Sequence, residues 1–169
     1  DAYDSGGAWA AEHEVDETLL ATLLRDPWFV RRGPRSTGPE HFNLDWLGKH
    51  CREDLPPGTV QATLTELTAR AITQSLDDLA PRPEAVFVCG GGARNTDLMR
   101  RLHRLLDAAG TRLGTTDELG LSADWVEAAS FAWLASRTLA GLPGNAPIVT
   151  GARGPRVLGA VHYAAPATG

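Results

Sequence analysis

The sequence predicts an α/β fold in which helices cover a small sheet, and three observations point there. Apolar residues share one helical face at Val60, Leu64, Leu67, Ala71, Ile72, Leu76 and Leu79, and again at Leu98, Met99, Leu102, Leu105 and Leu106. Short apolar or alternating runs, "EAVFVC", "TRLGTT" and "PRVLGAVHY", stand between and after the helical stretches and read as strands. The resulting order, helix–strand–helix–strand–helix–strand, suits right-handed crossover units. Three short strands are few for this much helix. The sheet is therefore expected to be mixed and incomplete, with its missing strands before residue 1.

In chain order, "DAYDSGGAWAAEHEV" reads as a glycine-containing loop that carries Trp9. Val15, Leu19, Leu20, Leu23 and Leu24 then form a helical stripe. It ends at "RDPWF", because Pro27 cannot continue a helix and disfavours a helical Asp26. "VRRGPRSTGPEHFN" is a long loop, and loops of that length without secondary structure are often functional. Asn43 caps a short helix that runs to His50. The longest helix spans "PPGTVQATLTELTARAITQSLDDL", with Thr59 as its N-cap and Pro81 and Pro83 marking its end. "EAVFVC" suits a buried parallel strand, a helix covers about Thr96 to Ala109, and "TRLGTT" is the next strand. "SADWVEAASFAWLASRTLAG" is a helix closed by Gly141 and Pro143, with Trp125 and Trp133 read as core packing. No internal repeat or low-complexity segment occurs.

With 169 residues, 43% hydrophobic and 22% charged, the chain has the size and composition of one globular domain. A net charge of −5 leaves no basic footprint, which argues against nucleic acid as the main ligand. No apolar run reaches spanning length and no charged-then-apolar leader is present, so neither a membrane span nor a secretion signal is expected. Cys51 and Cys89 are the only cysteines and lack nearby histidine pairs. No metal site is expected of them, and a reducing, cytoplasmic setting fits better than a disulfide scaffold.

The stretch "VFVCGGGARNTDLMRRL" sets Gly90, Gly91 and Gly92 between a strand and a helix. Two readings are open. A helix N-terminus there would present N–H groups to an anion or polar ligand, while glycines without Cβ let a nucleotide lie against the backbone. Alternatively, a tight turn needs positive φ and binds nothing. "CGGGARN" matches neither GxGxxG nor GxxxxGK[ST], and without a P-loop lysine a Walker-type ATPase is excluded.

The longer context narrows this. "VCGGGARNTDLMRRL", "TTDELGLSADWVEAASFAWLASRTLAGLPGN" and "VTGARGPRVLGAV" closely resemble the C-terminal part of the anhydro-N-acetylmuramic acid kinases. "DSGGAWA", "DPWF", "PRSTGPEHFNLDWL" and "VQATLTELTA" look like the same family in the same order, so the resemblance covers essentially the whole chain. It implies the C-terminal lobe of an actin-like, ribonuclease H-like ATPase fold, in the superfamily of actin, hexokinase and Hsp70. Residues 1–169 would be a single lobe of a two-lobed sugar kinase. The implied reaction uses ATP, Mg²⁺ and water to open a 1,6-anhydro sugar ring and yield N-acetylmuramic acid 6-phosphate, in cell-wall recycling. The implied partners are the anhydro sugar, the N-terminal lobe and a second copy in a homodimer. Family members are longer, begin with a phosphate-binding segment of the type GTSxDG, and carry an Asp general base just before the region covered here. Neither segment occurs in these residues. The general base is thus expected upstream of residue 1, and the segment alone, with no catalytic residue of its own, is expected to be inactive. A non-catalytic actin-like nucleotide-binding module and another sugar kinase of the superfamily stay open, although "DELGLSADWVEAA" favours the muramic acid enzyme.

The resemblance makes Gly90, Gly91, Gly92 and Ala93 nucleotide contacts through their backbone. Asn95 either reaches the ribose or caps the following helix, and Arg94 either faces solvent or meets the nucleotide. Glu127 looks like a family glutamate that faces the sugar. Asp124, three residues earlier, equally makes a capping-box-like pair with it at a helix N-terminus that favours acidic groups. Asp117 and Glu118 follow a strand, where α/β sites gather, or belong to a solvated loop. The loop from Arg35 to Gly38 contacts substrate or a dimer partner, or is simply exposed. His13, His41, His50, His103 and His162 show neither triad nor metal spacing and are assigned no chemistry.

Overall fold

In a computed structural model the chain is described over residues 3–31 and 37–162. It is α/β and rich in helix, and it divides between Val126 and Glu127 into two compact units. The first unit holds α1 (Ala8–Ala11), α2 (Glu17–Leu23), α3 (Pro27–Val30), α4 (Leu44–Gly48), α5 (Pro57–Ser75), β1 (Ala85–Val88), α6 (Thr96–Asp107) and β2 (Arg112–Thr115). Helix α7 (Val126–Leu139) opens at the division, and α8 (Pro147–Thr150) follows it.

β1 and β2 pair in parallel, with Ala85 opposite Arg112 and Val88 opposite Thr115. Helix α6 makes the crossover between them, as a parallel pair requires. The Arg112 guanidinium lies 5.1 Å from the centre of the Phe87 ring on the neighbouring strand. Helix α5 is the spine of the unit. One of its faces packs Leu67 against Leu19, Leu20 and Leu23 of α2, and another packs Ala69 against Leu102 and Leu106 of α6. Val86, Val88 and Leu113 bring the sheet into the second cluster. Each fully buried leucine contributes about 1.5–3 kcal/mol.

Charge is buried as well as hydrocarbon. Glu66 of α5 is 1% exposed and accepts hydrogen bonds from Arg70 Nε (2.9 Å), Arg101 (3.0 Å) and Arg104 (2.9 Å). Asp97 of α6 takes Arg101 Nε at 2.7 Å and pairs with Arg100. The carboxylates and guanidiniums satisfy one another, which is the condition for burying them at all. Burial pushes the Glu66 carboxyl up, but the hydrogen bonds from Arg70, Arg101 and Arg104 outweigh it and hold the pKa below its ordinary 4.5.

Most local expectations stand, and several are corrected. Asn43 caps α4 through Trp46 N–H at 2.9 Å. Helix α5 starts earlier than Thr59, with Pro56 at the N-cap and Pro57 in the first turn, where a missing N–H is no loss. Pro27 does end α2, yet it also opens α3, because Asp26 caps the new helix through Trp28 N–H at 2.8 Å. The amino-terminal "loop" contains a 3₁₀ turn (Ser5–Gly7) and α1. The tail around "PRVLGAVHY" is not a strand over its described residues, and among the described residues the sheet is two parallel strands rather than a mixed sheet of three. Alternation predisposes to a strand, but only a hydrogen-bonding neighbour makes one. Trp125 and Trp133 are not core residues, being 66% and 54% exposed. Their apolar bulk alone does not decide which face is covered.

In the second unit, Thr138 Oγ1 of α7 donates to the Leu158 carbonyl, and Arg137 Nε donates to the Pro143 carbonyl at 2.9 Å. Asn145 Oδ1 accepts from Arg156 N–H at 2.6 Å. No residue of α7 in this unit is buried. Phe131, Leu134, Leu139, Leu158 and Val161 line an apolar pocket of about 590 Å³. Among the described residues no helix is long and apolar enough to cross a membrane.

Candidate functional site

Because the sheet is parallel, β1 and β2 end at the same edge, and that is where ligands of α/β sheets gather. β1 runs through Cys89 into Gly90, whose φ of 72° and ψ of −165° lie in a region open essentially to glycine alone. A Cβ at Gly90 or Gly91 would meet nothing within 4 Å. The glycine at position 90 is therefore demanded by backbone conformation, and the space beside the turn is open. Gly91–Arg94 complete one 3₁₀ turn. Asn95, in extended conformation, then starts α6 by accepting Leu98 N–H on Oδ1 at 2.9 Å. Of its two predicted roles, the structure displays the cap.

Two neighbouring segments close around this turn. The loop after β2 reaches it from one side: Gly90 N–H donates to the Ala123 carbonyl at 2.8 Å, and Arg94 pairs with Asp124. The amino-terminal "DSGG" turn reaches it from the other. Thr96 Oγ1 donates to the Gly6 carbonyl at 2.7 Å across ninety residues of sequence. Gly7, at φ 73°, lies so close that a Cβ would stand 2.0 Å from Asn95 Oδ1. Sequence reasoning missed the role of Gly6 and Gly7. The available signal was a pair of glycines beside Asp4, whose carboxylate caps Trp9 N–H (2.9 Å) and Ala10 N–H (3.0 Å) and so fixes the turn before α1.

A model of the family described as anhydro-N-acetylmuramic acid kinase matches residues 1–164. The chain belongs to the anhydro-N-acetylmuramic acid kinase family. It is 54% identical to the anhydro-N-acetylmuramic acid kinase of Pseudomonas paraeruginosa over 164 residues, which cover 96% of this chain and 44% of that protein. The enzyme of the same name from Chromohalobacter salexigens is 51% identical over 95% of the chain, and that of Nitrosomonas europaea 47% over 96%. The chain spans about 44% of the length of each of these curated relatives.

Within this kinase-family segment, the structure gathers Gly90–Asn95, Ala123, Asp124, Gly6 and Gly7 in one place. Glu127 lies exposed in the first turn of α7, in the second unit, and Asp124 spends its carboxylate on Arg94. Glu118 turns back on its own strand: the Arg112 guanidinium (2.7 Å) and Thr115 N–H (3.2 Å) hold its carboxyl below the usual 4.5. Hydrogen bonds from the Thr115 side chain and the Ala123 backbone likewise lower Asp117. Both acids are exposed and serve the turn that follows β2, as the loop reading has it. Arg35 and Ser36 lie outside the described residues. His41 has a partner in Asp26 Oδ2 at 3.2 Å, a carboxylate that also accepts Trp46 Nε1–H at 2.8 Å.

Chemically, the gathered residues offer backbone N–H groups, glycine surfaces, the Arg94–Asp124 pair and the start of a twelve-residue helix. Among the described residues no group of three or more His, Cys, Asp or Glu is placed to hold a metal ion.

Proposed function

We propose that residues 1–169 form the C-terminal lobe of a two-lobed, actin-like kinase that opens 1,6-anhydro-N-acetylmuramic acid with ATP and water and yields N-acetylmuramic acid 6-phosphate, for cell-wall recycling in the cytoplasm. One observation carries this reading beyond family membership. The strand–glycine–helix turn leaves an open surface at Gly90 and Gly91, at the carboxyl edge of a parallel sheet.

In this reading Gly90, Gly91, Gly92 and Ala93 form a flat backbone bed for the adenosine of ATP, where any larger side chain would keep the nucleotide off. Asn95 borders the bed and holds the start of α6 in place. Glu127 orients the sugar by accepting a hydroxyl hydrogen bond. The phosphate cradle and the general base that activates water are supplied from outside these residues. Mg²⁺ would neutralise charge on the transferring phosphoryl group. The described residues offer it no cluster of three or more His, Cys, Asp or Glu ligands. Closure of two lobes would exclude bulk water from the phosphoryl group. The exposed apolar side of α7, with Phe131 65% and Leu139 74% exposed, supports a covering partner. We assign that cover to the further polypeptide that the longer relatives contain, and keep a homodimer as part of the same proposal.

Incubating the full-length protein with ATP and 1,6-anhydro-N-acetylmuramic acid tests the reading by mass spectrometry of the product. A phosphorylated, ring-opened sugar supports it. Turnover of glucose or glycerol but not of the anhydro sugar refutes the substrate, and ATP binding without turnover of any sugar favours a non-catalytic module.

A further inference from the structure

We propose that Arg94 and Asp124 are positioning residues of the nucleotide-facing turn, forming with the Gly90–Ala123 hydrogen bond a two-point clasp that sets its shape. The inference rests on the reading that Gly90–Ala93 faces ATP. The turn starts at Gly90, in a conformation few contacts favour, and ends at Arg94. No packing holds it on the Cβ side of Gly90 or Gly91. Its fixed points are two adjacent residues of the loop after β2. At the start, Gly90 N–H donates to the Ala123 carbonyl at 2.8 Å. At the end, the Arg94 guanidinium pairs with the Asp124 carboxylate.

The loop carries hydrogen bonds of its own. Leu121 N–H donates to the Thr116 carbonyl at 3.2 Å, Trp125 N–H to the Ser122 carbonyl at 2.9 Å, and Asp124 N–H to Ser122 Oγ at 3.4 Å. The Arg94 and Asp124 side chains are 72% and 46% exposed. An ion pair this exposed adds little to global stability. Its consequence is local: it fixes where the last residue of the turn stands relative to the first. Arg94 is thereby not a phosphate ligand, because its charge is already met by a carboxylate of the same unit.

The test compares Arg94→Ala, Asp124→Ala, the double variant and the exchanged pair R94D/D124R in the full-length enzyme, at saturating sugar. Each single variant is expected to raise KM for ATP about two- to fivefold, the range an exposed pair can carry, with kcat within about twofold and Tm unchanged. The double variant should be no worse than either single one, and the exchanged pair should recover most of the wild-type KM. A tenfold or larger effect of Arg94→Ala alone, unrescued by the exchange, would show Arg94 on the nucleotide and overturn the clasp. So would an unchanged KM in both single variants, or a fall in Tm with KM intact. Gly90→Ala separates the two levels. If it leaves KM for ATP unchanged in a folded enzyme, the nucleotide assignment falls and the clasp with it; if it raises KM while the single variants do nothing, only the clasp falls.

Discussion

Replacing Gly7 with alanine puts the docking of the amino-terminal turn under direct test. Two penalties add. At φ 73° an L-residue costs about 1–2 kcal/mol. The new Cβ would also stand 2.0 Å from Asn95 Oδ1 and 2.8 Å from its Cγ, with Asp97 Cβ at 3.0 Å blocking retreat. Asn95 must swing away and release Leu98 N–H, which forfeits an N-cap worth about 0.5–2 kcal/mol. The sum is about 1.5–4 kcal/mol. Gly6→Ala is the internal control: its φ is 65°, but the nearest atom, Thr96 Oγ1, is 3.7 Å away, an ordinary contact. It should lose only the backbone share, about 1–2 kcal/mol. The assay is the urea midpoint of the full-length protein, with hydrogen exchange of the α6 amides as the local readout. In an Asn95→Ala background the clash has no target and the cap is already gone, so the double variant should be about as stable as Gly7→Ala alone. Equal losses for the two glycines, or strict additivity with Asn95→Ala, would refute the close approach.

Glu66→Gln should destabilise by about 3 kcal/mol or somewhat more, since it strips a buried carboxylate from Arg101, which retains Asp97. The Glu66 pKa is depressed on folding, so its stabilisation is complete above the ordinary value of 4.5 and is lost as pH falls through the folded value. The gap between wild type and variant in urea titrations should therefore be full at neutral pH and close in acid. Leu102→Ala, at a position with no exposure, should lose about 2–5 kcal/mol by the same assay. Glu127→Gln should lower kcat/KM for the anhydro sugar about ten- to hundredfold, the loss of one charged hydrogen bond, and leave KM for ATP unchanged.

The elements that were legible in the chain are those whose cause is local. Asn43 and Asn95 announce helix starts because the capping oxygen and the N–H that donates to it lie three residues apart. Helices α5 and α6 announce themselves because a buried stripe repeats with the helical period. β1 could be read as a strand because it is apolar throughout, although its four residues are half-buried rather than buried. The errors share the opposite origin. The tail around "PRVLGAVHY" has a strand-like pattern without a neighbouring strand, and Trp125 and Trp133 have core-like side chains without a cover.

The order α5–β1–α6–β2–α7, the need for glycine where β1 turns into α6, and membership of a kinase family were all present in the linear chain. They depend on dihedral preference, periodicity and motif order, which are properties of neighbouring residues. Only the tertiary structure brought Gly6 and Gly7 onto Asn95 and Thr96, set Ala123 and Asp124 against the glycine turn, and closed the charges of Glu66, Asp97 and Arg101 on one another. These contacts join residues up to ninety positions apart. No local rule encodes such a distance; it is set by how α1, α5, α6 and the parallel strands pack.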